Sequence, residues 1–270
     1  MIEAWLAALA GLLIGSFLNV CIYRLPLDLS VVSPRSYCPK CKATIRWYDN
    51  IPLLSFLALK GRCRKCDARI PFRYPIVELL TAIAFFCSFW FLGVTLAAVK
   101  FSLYGAILIA LVFSDLEERI LPDEFTIGGA ILGLGFAFFV HLDWGPMALL
   151  VSSLGNPALI SAFESAFSAL VCAGALWLVA VLYERVRHRE GLGLGDVKMV
   201  ALIGAFLGLQ AALLTLIVAS LLGAVVGLLY IWITGKDAST YELPFGTFLG
   251  IAALGVGFSV DVIWTNHVGL

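Results

Sequence analysis

Asp115 and Asp196 stand at the ends of apolar stretches in a chain that carries only 18 Asp and Glu among 270 residues. Asp115 lies in Phe113-Ser114-Asp115-Leu116-Glu117-Glu118-Arg119-Ile120-Leu121-Pro122-Asp123, and Asp196 in Gly191-Leu192-Gly193-Leu194-Gly195-Asp196-Val197-Lys198. A carboxylate at a membrane boundary is costly to desolvate, which marks it as a functional candidate. Two carboxylates sharing one low-dielectric site do not ionise together readily, so one keeps a proton as general acid while the other activates water. Gly191, Gly193 and Gly195 have no side chains, which lets backbone or a ligand approach Asp196 closely.

Helix capping is the competing reading. Asp196 precedes an apolar segment, where a carboxylate is favoured by the helix dipole, and the two readings of this residue stand level. Asp115 ends its segment instead, where a negative charge is unfavourable and needs a reason. Asp123, after Leu121-Pro122, is the rival second acid, and its place at the opening of the next segment suits an N-cap.

Four of the seven cysteines form Cys38-Pro39-Lys40-Cys41 and Cys63-Arg64-Lys65-Cys66. Two C-x2-C knuckles at this separation are a zinc signature, since each sets two thiolates on one side of a tight turn. Four thiolates fill the shell, so the zinc is expected to be structural, with Lys40, Arg64 and Lys65 offsetting its charge. An iron site or oxidised pairs are the alternatives. Cys21, Cys87 and Cys172 sit within apolar segments and read as small buried hydrophobes. Between the knuckles, Trp47-Tyr48-Asp49-Asn50-Ile51-Pro52 suggests a turn at the membrane surface, with Asp49 and Asn50 open to capping or ligand contact.

These groups need a scaffold, and composition identifies it. With 61% hydrophobic and 13% charged residues, and a mean hydropathy of +1.00, the chain reads as an all-α polytopic membrane protein. About eight transmembrane helices are expected, near 4–23, 75–94, 97–115, 125–141, 161–183, 195–209, 211–233 and 244–264. The first lacks a basic start and a small-residue cleavage pattern, so it is expected to be retained. The domains are then a first helix, 1–24, a small four-cysteine zinc-binding insert, 25–74, and a transmembrane core, 75–270.

From Arg24 to Arg73 there are eleven Lys or Arg and three Asp, which makes the insert cytoplasmic by the positive-inside rule. Counting spans from it puts Asp115 and Asp196 at the same, cytoplasmic boundary. Arg119, Arg185, Arg187, Arg189 and Lys236 fall on expected inner loops, and Lys100 is the exception. A polybasic segment beside a span points to anionic membrane lipids as partners, and not to nucleic acid. The Gly11/Gly15, Gly204/Gly208, Gly223/Gly227 and Gly246/Gly250 pairs read as helix-packing signals. Glu78 is expected to face the bundle or reach the interface. His141, His188 and His267 are isolated, without ligand spacing.

Gly15-Ser16-Phe17-Leu18-Asn19-Val20, Tyr23-Arg24-Leu25-Pro26, the two knuckles around Trp47 to Pro52, Arg73-Tyr74-Pro75 to Glu78, the Asp115 to Asp123 loop and Gly193-Leu194-Gly195-Asp196-Val197-Lys198 occur in this order. Together they resemble the type 4 prepilin peptidases, bacterial inner-membrane aspartic proteases of the GxGD class. The resemblance implies an aspartic endopeptidase that removes the basic leader of type IV prepilins or type II secretion pseudopilins. Cleavage would follow a glycine on the cytoplasmic side, with Asp115 and Asp196 as the catalytic pair. It also implies N-methylation of the new N-terminus with S-adenosylmethionine, associated with the zinc-bearing insert and Glu78. The rival class is a membrane scaffold or transporter using the aspartates as a relay. Clustering of the strong carboxylates at the cytoplasmic edge, with Glu164 near the outer side and no chain of acids between, argues against that.

Overall fold

The computed structural model describes residues 1–142, 145–150, 155–188, 193–234 and 244–259. Gly191, Arg189, Lys236, His267 and residues 260–264 of the eighth expected span lie outside the described residues. Nine helices run through the described residues: α1 (Ile2–Arg24), α2 (Leu54–Ala58), α3 (Arg73–Leu92), α4 (Leu96–Glu118), α5 (Asp123–Ala137), α6 (Pro146–Leu150), α7 (Pro157–Arg187), α8 (Leu194–Thr234) and α9 (Phe245–Val256).

Five of them, α1, α3, α4, α7 and α8, are long and apolar enough to cross a membrane. Each of the eight expected segments holds a helix among the described residues, but they are not equally long. α5 has 15 residues and α9 has 12, so α5 rises about 22 Å against a hydrocarbon core of roughly 30 Å. The sixth and seventh segments are joined in α8, which bends at Gly208 (φ 79°, ψ 178°). That backbone conformation is open to glycine and strained for other residues. Gly208 therefore shapes a kink, whereas its pairing with Gly204 in the sequence suggested close packing.

The chain packs as two compact units, Met1–Ser114 and Asp115–Leu270. In the first, α1 packs on α3. The contact uses small residues, because without a hydrophobic drive in lipid, helices associate by close van der Waals approach. Cβ atoms built at Gly11 and Gly15 would stand 2.8 Å from Ala82 Cα and 2.7 Å from Glu78 Cα. Ala4, Ala7, Gly11 and Gly15 are buried, while Trp5, Leu9, Leu13 and Phe17 are exposed. Large apolar groups outward and small ones inward is the arrangement suited to lipid.

In the second unit α8 packs against α5, α7 and α9, and the arm before Gly208 carries most of its buried residues. Met199, Val200, Leu202, Ile203, Ala205 and Phe206 are all buried. Gly204 lets Ser168 O approach to 2.8 Å of where its Cβ would be, and Gly133 of α5 does the same for Phe206 at 2.8 Å. Ser165 Oγ donates to Ala205 O at 2.7 Å, fixing α7 on α8. Glu164 is fully buried; it accepts from Met147 N at 2.9 Å and from Ser168 Oγ at 3.0 Å. With both carboxyl oxygens occupied by neutral donors, Glu164 pins α6 to α7.

Candidate active site

The C-terminal turn of α4 delivers Asp115, the Leu121-Pro122 segment turns the chain into α5, and the first turn of α8 delivers Asp196. Asp115 is 6% exposed and Asp196 is half-buried. Leu121 lies between their surroundings: Cβ atoms at Gly195 and at Gly246 would each stand 3.1 Å from it. The two carboxyl groups interact electrostatically. The pair expected from sequence is thus brought together within one compact unit.

Asp196 is the third residue of α8 and its carboxyl accepts the Gly193 N–H. A side chain at this position reaching back to the cap residue is a capping interaction. Capping and proximity to Asp115 coexist in Asp196.

Asp115 answers the question its position posed. Its Oδ2 accepts from Thr247 N at 2.6 Å and from Thr247 Oγ1 at 2.7 Å. Thr247 lies in the first turn of α9, after Pro244 opens that helix. The unfavourable carbonyl end of α4 is thereby opposed by the N–H end of another helix. Sequence reasoning missed Thr247, which is 132 residues distant. A hydroxyl residue just after an X-Pro helix start, in Pro244-Phe245-Gly246-Thr247, is the one local signal.

Asp123, the rival acid, opens α5 and is exposed. Lys198 Nζ donates to its Oδ1 at 2.7 Å, an ion pair between the starts of α5 and α8. Glu117, Glu118 and Glu124 are likewise exposed.

In the first unit the four cysteine sulfurs all lie within 4.8 Å of one another. Cys38 and Cys66 are 3.8 Å apart, Cys41 and Cys63 4.0 Å. A tetrahedron with metal–sulfur bonds near 2.3 Å has sulfur–sulfur edges of about 3.8 Å, whereas a disulfide needs about 2.05 Å. The donor set fits a four-thiolate metal site. The two knuckles are structural copies. Cys38 N donates to Ala43 O and Lys42 N back to Cys38 O; Cys63 N donates to Ala68 O and Asp67 N back to Cys63 O. Lys42 and Asp67 both take φ 56°, and the bridges Tyr37–Thr44 and Arg62–Arg69 close the turns.

Electrostatics in the insert differ from expectation at Arg64. Its Nη2 donates to Asp49 Oδ1 at 2.6 Å and its Nε to Asp49 Oδ2 at 3.0 Å, so its charge is engaged by a carboxylate and not reserved for the thiolates. The Arg64 guanidinium holds the Asp49 carboxyl below its ordinary range. This grip ties the Trp47–Asn50 turn to the second knuckle and decides the role of Asp49. The backbone N–H groups of Lys65 and Cys66 draw the Cys63 thiol down to about 6. Cys66, despite the Ala68 N–H, is pushed up to about 12 by burial and the neighbouring sulfurs.

Glu78 points inward, as one of its two expected orientations had it. It is 7% exposed, accepts from Leu53 N at 2.8 Å and from the Ser16 hydroxyl. Leu53 adopts φ 59° to present that N–H. One helical turn away, Asn19 Nδ2 donates to Tyr74 O at 3.0 Å, while Asn19 Oδ1 is buried without a partner.

Residues 9–92 match the Bacterial Peptidase A24 N-terminal domain, and residues 102–228 match the Type IV leader peptidase family. The prepilin leader peptidase/N-methyltransferase of Legionella pneumophila is 36% identical over 97% of this chain and 93% of its own length. Its counterpart in Pseudomonas putida is 34% identical over 97% and 91%. The Myxococcus xanthus protein of the same name is 43% identical over 86% of this chain, which spans 64% of that longer relative. No solved structure matches the chain.

Proposed function

The chain belongs to the type IV leader peptidase family, and we propose that it cleaves the basic leader of type IV prepilins or type II secretion pseudopilins, then N-methylates the new N-terminus. The observation that carries the peptidase reading is the convergence of Asp115 and Asp196 around Leu121 in one compact unit.

In the cleavage step one carboxylate takes a proton from water, and the hydroxide oxygen bonds to the scissile carbonyl carbon. The carbonyl oxygen takes the proton held by the other carboxyl. When the C–N bond breaks, the leaving amine nitrogen takes a proton from the first carboxyl, one hydroxyl of the diol returns its proton to the other carboxylate, and the peptide bond has become an acid and an amine. Leader residues bearing Lys and Arg lie at the cytoplasmic face of the inner membrane in this reading, beside the exposed acids Glu117, Glu118 and Glu124. The basic insert lies against anionic lipid headgroups.

Zinc would be held by Cys38, Cys41, Cys63 and Cys66, where it would supply a rigid cross-link to an insert with little core of its own. S-adenosylmethionine, when bound, supplies a methyl group to the amine. Buried acceptors at Glu78 and Asn19 Oδ1 suit a cationic group. In the proposed transfer Glu78 binds the substrate ammonium and takes its proton, so that the nitrogen lone pair is available.

The test is cleavage of a prepilin in liposomes by wild type, Asp115→Asn, Asp196→Asn and Asp123→Asn, with fold checked by circular dichroism. The dyad predicts folded, inert Asp115 and Asp196 variants and an active Asp123 variant. Cleavage by both of the first two would refute it.

A further inference from the structure

We propose that Thr247 is the positioning residue that fixes the Asp115 carboxyl for its part in cleavage, holding one oxygen and leaving the other to water; the inference rests on the dyad reading above. The two carboxyl groups have unequal surroundings. Asp115 Oδ2 accepts two donors from one residue, the backbone N–H of Thr247 at 2.6 Å and its hydroxyl at 2.7 Å. Both are buried, and a hydrogen bond to an ionised acceptor strengthens where water is excluded. The donors also belong to the first turn of the 12-residue α9, whose unsatisfied N–H groups carry partial positive charge. Among the described residues, Asp196 accepts the N–H of Gly193, and it is half-buried.

Among the described residues both donors act on Asp115 Oδ2, which fixes the rotation of the carboxyl group and leaves Oδ1 as the oxygen that takes the proton of water. The approach is close because residue 246 is glycine: a Cβ there would stand 3.1 Å from Asp115 Cγ. Thr247 touches no reacting atom in this scheme. It acts through Asp115, by holding one of its carboxyl oxygens.

Asp196 from α8 is the acid that Asp115 interacts with. Gly246 and Leu121, which lie close to the Asp115 carboxyl group, bear no charge. Asp123 and Lys198 satisfy one another at the surface.

The experiment measures kcat and KM for prepilin cleavage in liposomes by the full-length wild type, Thr247→Val, Thr247→Ser, Asp115→Asn and Asp196→Asn, with Tm recorded for each. Valine keeps the shape and the backbone N–H but deletes the hydroxyl; serine keeps both donors. The proposal expects kcat of Thr247→Val to fall about 10- to 100-fold, the range for losing one donor to a charged group. KM should be unchanged and serine should restore kcat. A Thr247→Val enzyme with wild-type kcat, or one whose loss serine does not repair, overturns the proposal. If the two Asn variants are inert while Thr247→Val is normal, the dyad stands and only the role of Thr247 falls. If the Asn variants cleave, the dyad itself falls.

Discussion

Gly246 lies against Asp115 so closely that a Cβ added to it would stand 3.1 Å from both the carboxyl carbon and Oδ2. Leu121 Cδ1, at 3.1 Å from the same point, closes the other side. A side chain at 246 must displace the carboxyl, Leu121 or the start of α9. We expect Gly246→Ala to lower kcat and Gly246→Val to lower it about 100-fold, the loss that follows a misplacement near 1 Å. Single-turnover cleavage with circular dichroism checks this, and a fully active Gly246→Val would show that the close contact is not needed.

Removing the metal should act on the insert first. Sulfur spacings of 3.8 and 4.0 Å suit one tetrahedral ion, and structural zinc sites contribute roughly 10 kcal/mol or more to small domains that lack a core. Elemental analysis should find one zinc per chain, and none in a Cys38→Ser/Cys63→Ser variant. Protease should cut that variant, or chelator-treated wild type, between residues 25 and 74. Intact metal content after both cysteine changes would refute four-thiolate binding.

The Asp49–Arg64 grip has a defined pH window. Arg64 lowers the Asp49 carboxyl below its unfolded value of 3.8, so the unfolded state takes up protons first as pH falls. The stabilisation is fully present above about pH 4 to 5 and is lost as pH falls through the lowered folded value. Arg64 is half-exposed, so solvent screens the pair and keeps its contribution small. The Tm penalty of Asp49→Asn should therefore be constant from about pH 8 to 5. A penalty that disappears within that range would show that the grip does not set the stability of the turn.

Glu78 separates the two proposed activities, because it belongs to Met1–Ser114 and the aspartates belong to Asp115–Leu270. Glu78→Gln keeps an acceptor for the Leu53 N–H but loses the charge. We expect mass spectrometry to find mature pilin that is cut yet unmethylated, with kcat for methyl transfer down about 100-fold and cleavage near wild type. Loss of both activities in a folded variant would tie Glu78 to the peptidase as well.

Acidic side chains beyond Asp115 offer a substrate-side test. Glu117 and Glu118 are exposed, so their attraction for a basic leader is screened over roughly 10 Å at 0.1 M salt. A Glu117→Gln/Glu118→Gln enzyme should show a higher KM at low salt and little difference at high salt. Identical kinetics at low salt would remove these residues from leader recognition.

Much of this molecule was written along the chain because its causes are local. Apolar length marks a helix in lipid, so α1, α3, α4 and α7 could be placed from residue runs alone. The C-x2-C knuckles place two sulfurs by one tight turn each, and their pairing needed only a separation. Asp115 and Asp196 stood out because charge is rare in such a chain. The kink at Gly208 was hidden, since the same glycine also suits close packing and only the neighbours decide between them. The grip of Arg64 on Asp49 was equally hidden, because a surface arginine has many possible partners. Thr247 was the deepest omission: a buried carboxylate takes its donors from whatever the fold brings to it, and the start of α9 reaches Asp115 across 132 residues. Sequence determined which groups could do chemistry and on which elements they ride. Tertiary structure alone decided which donors face each carboxylate, because hydrogen bonds depend on distances of a few ångströms that no local pattern encodes.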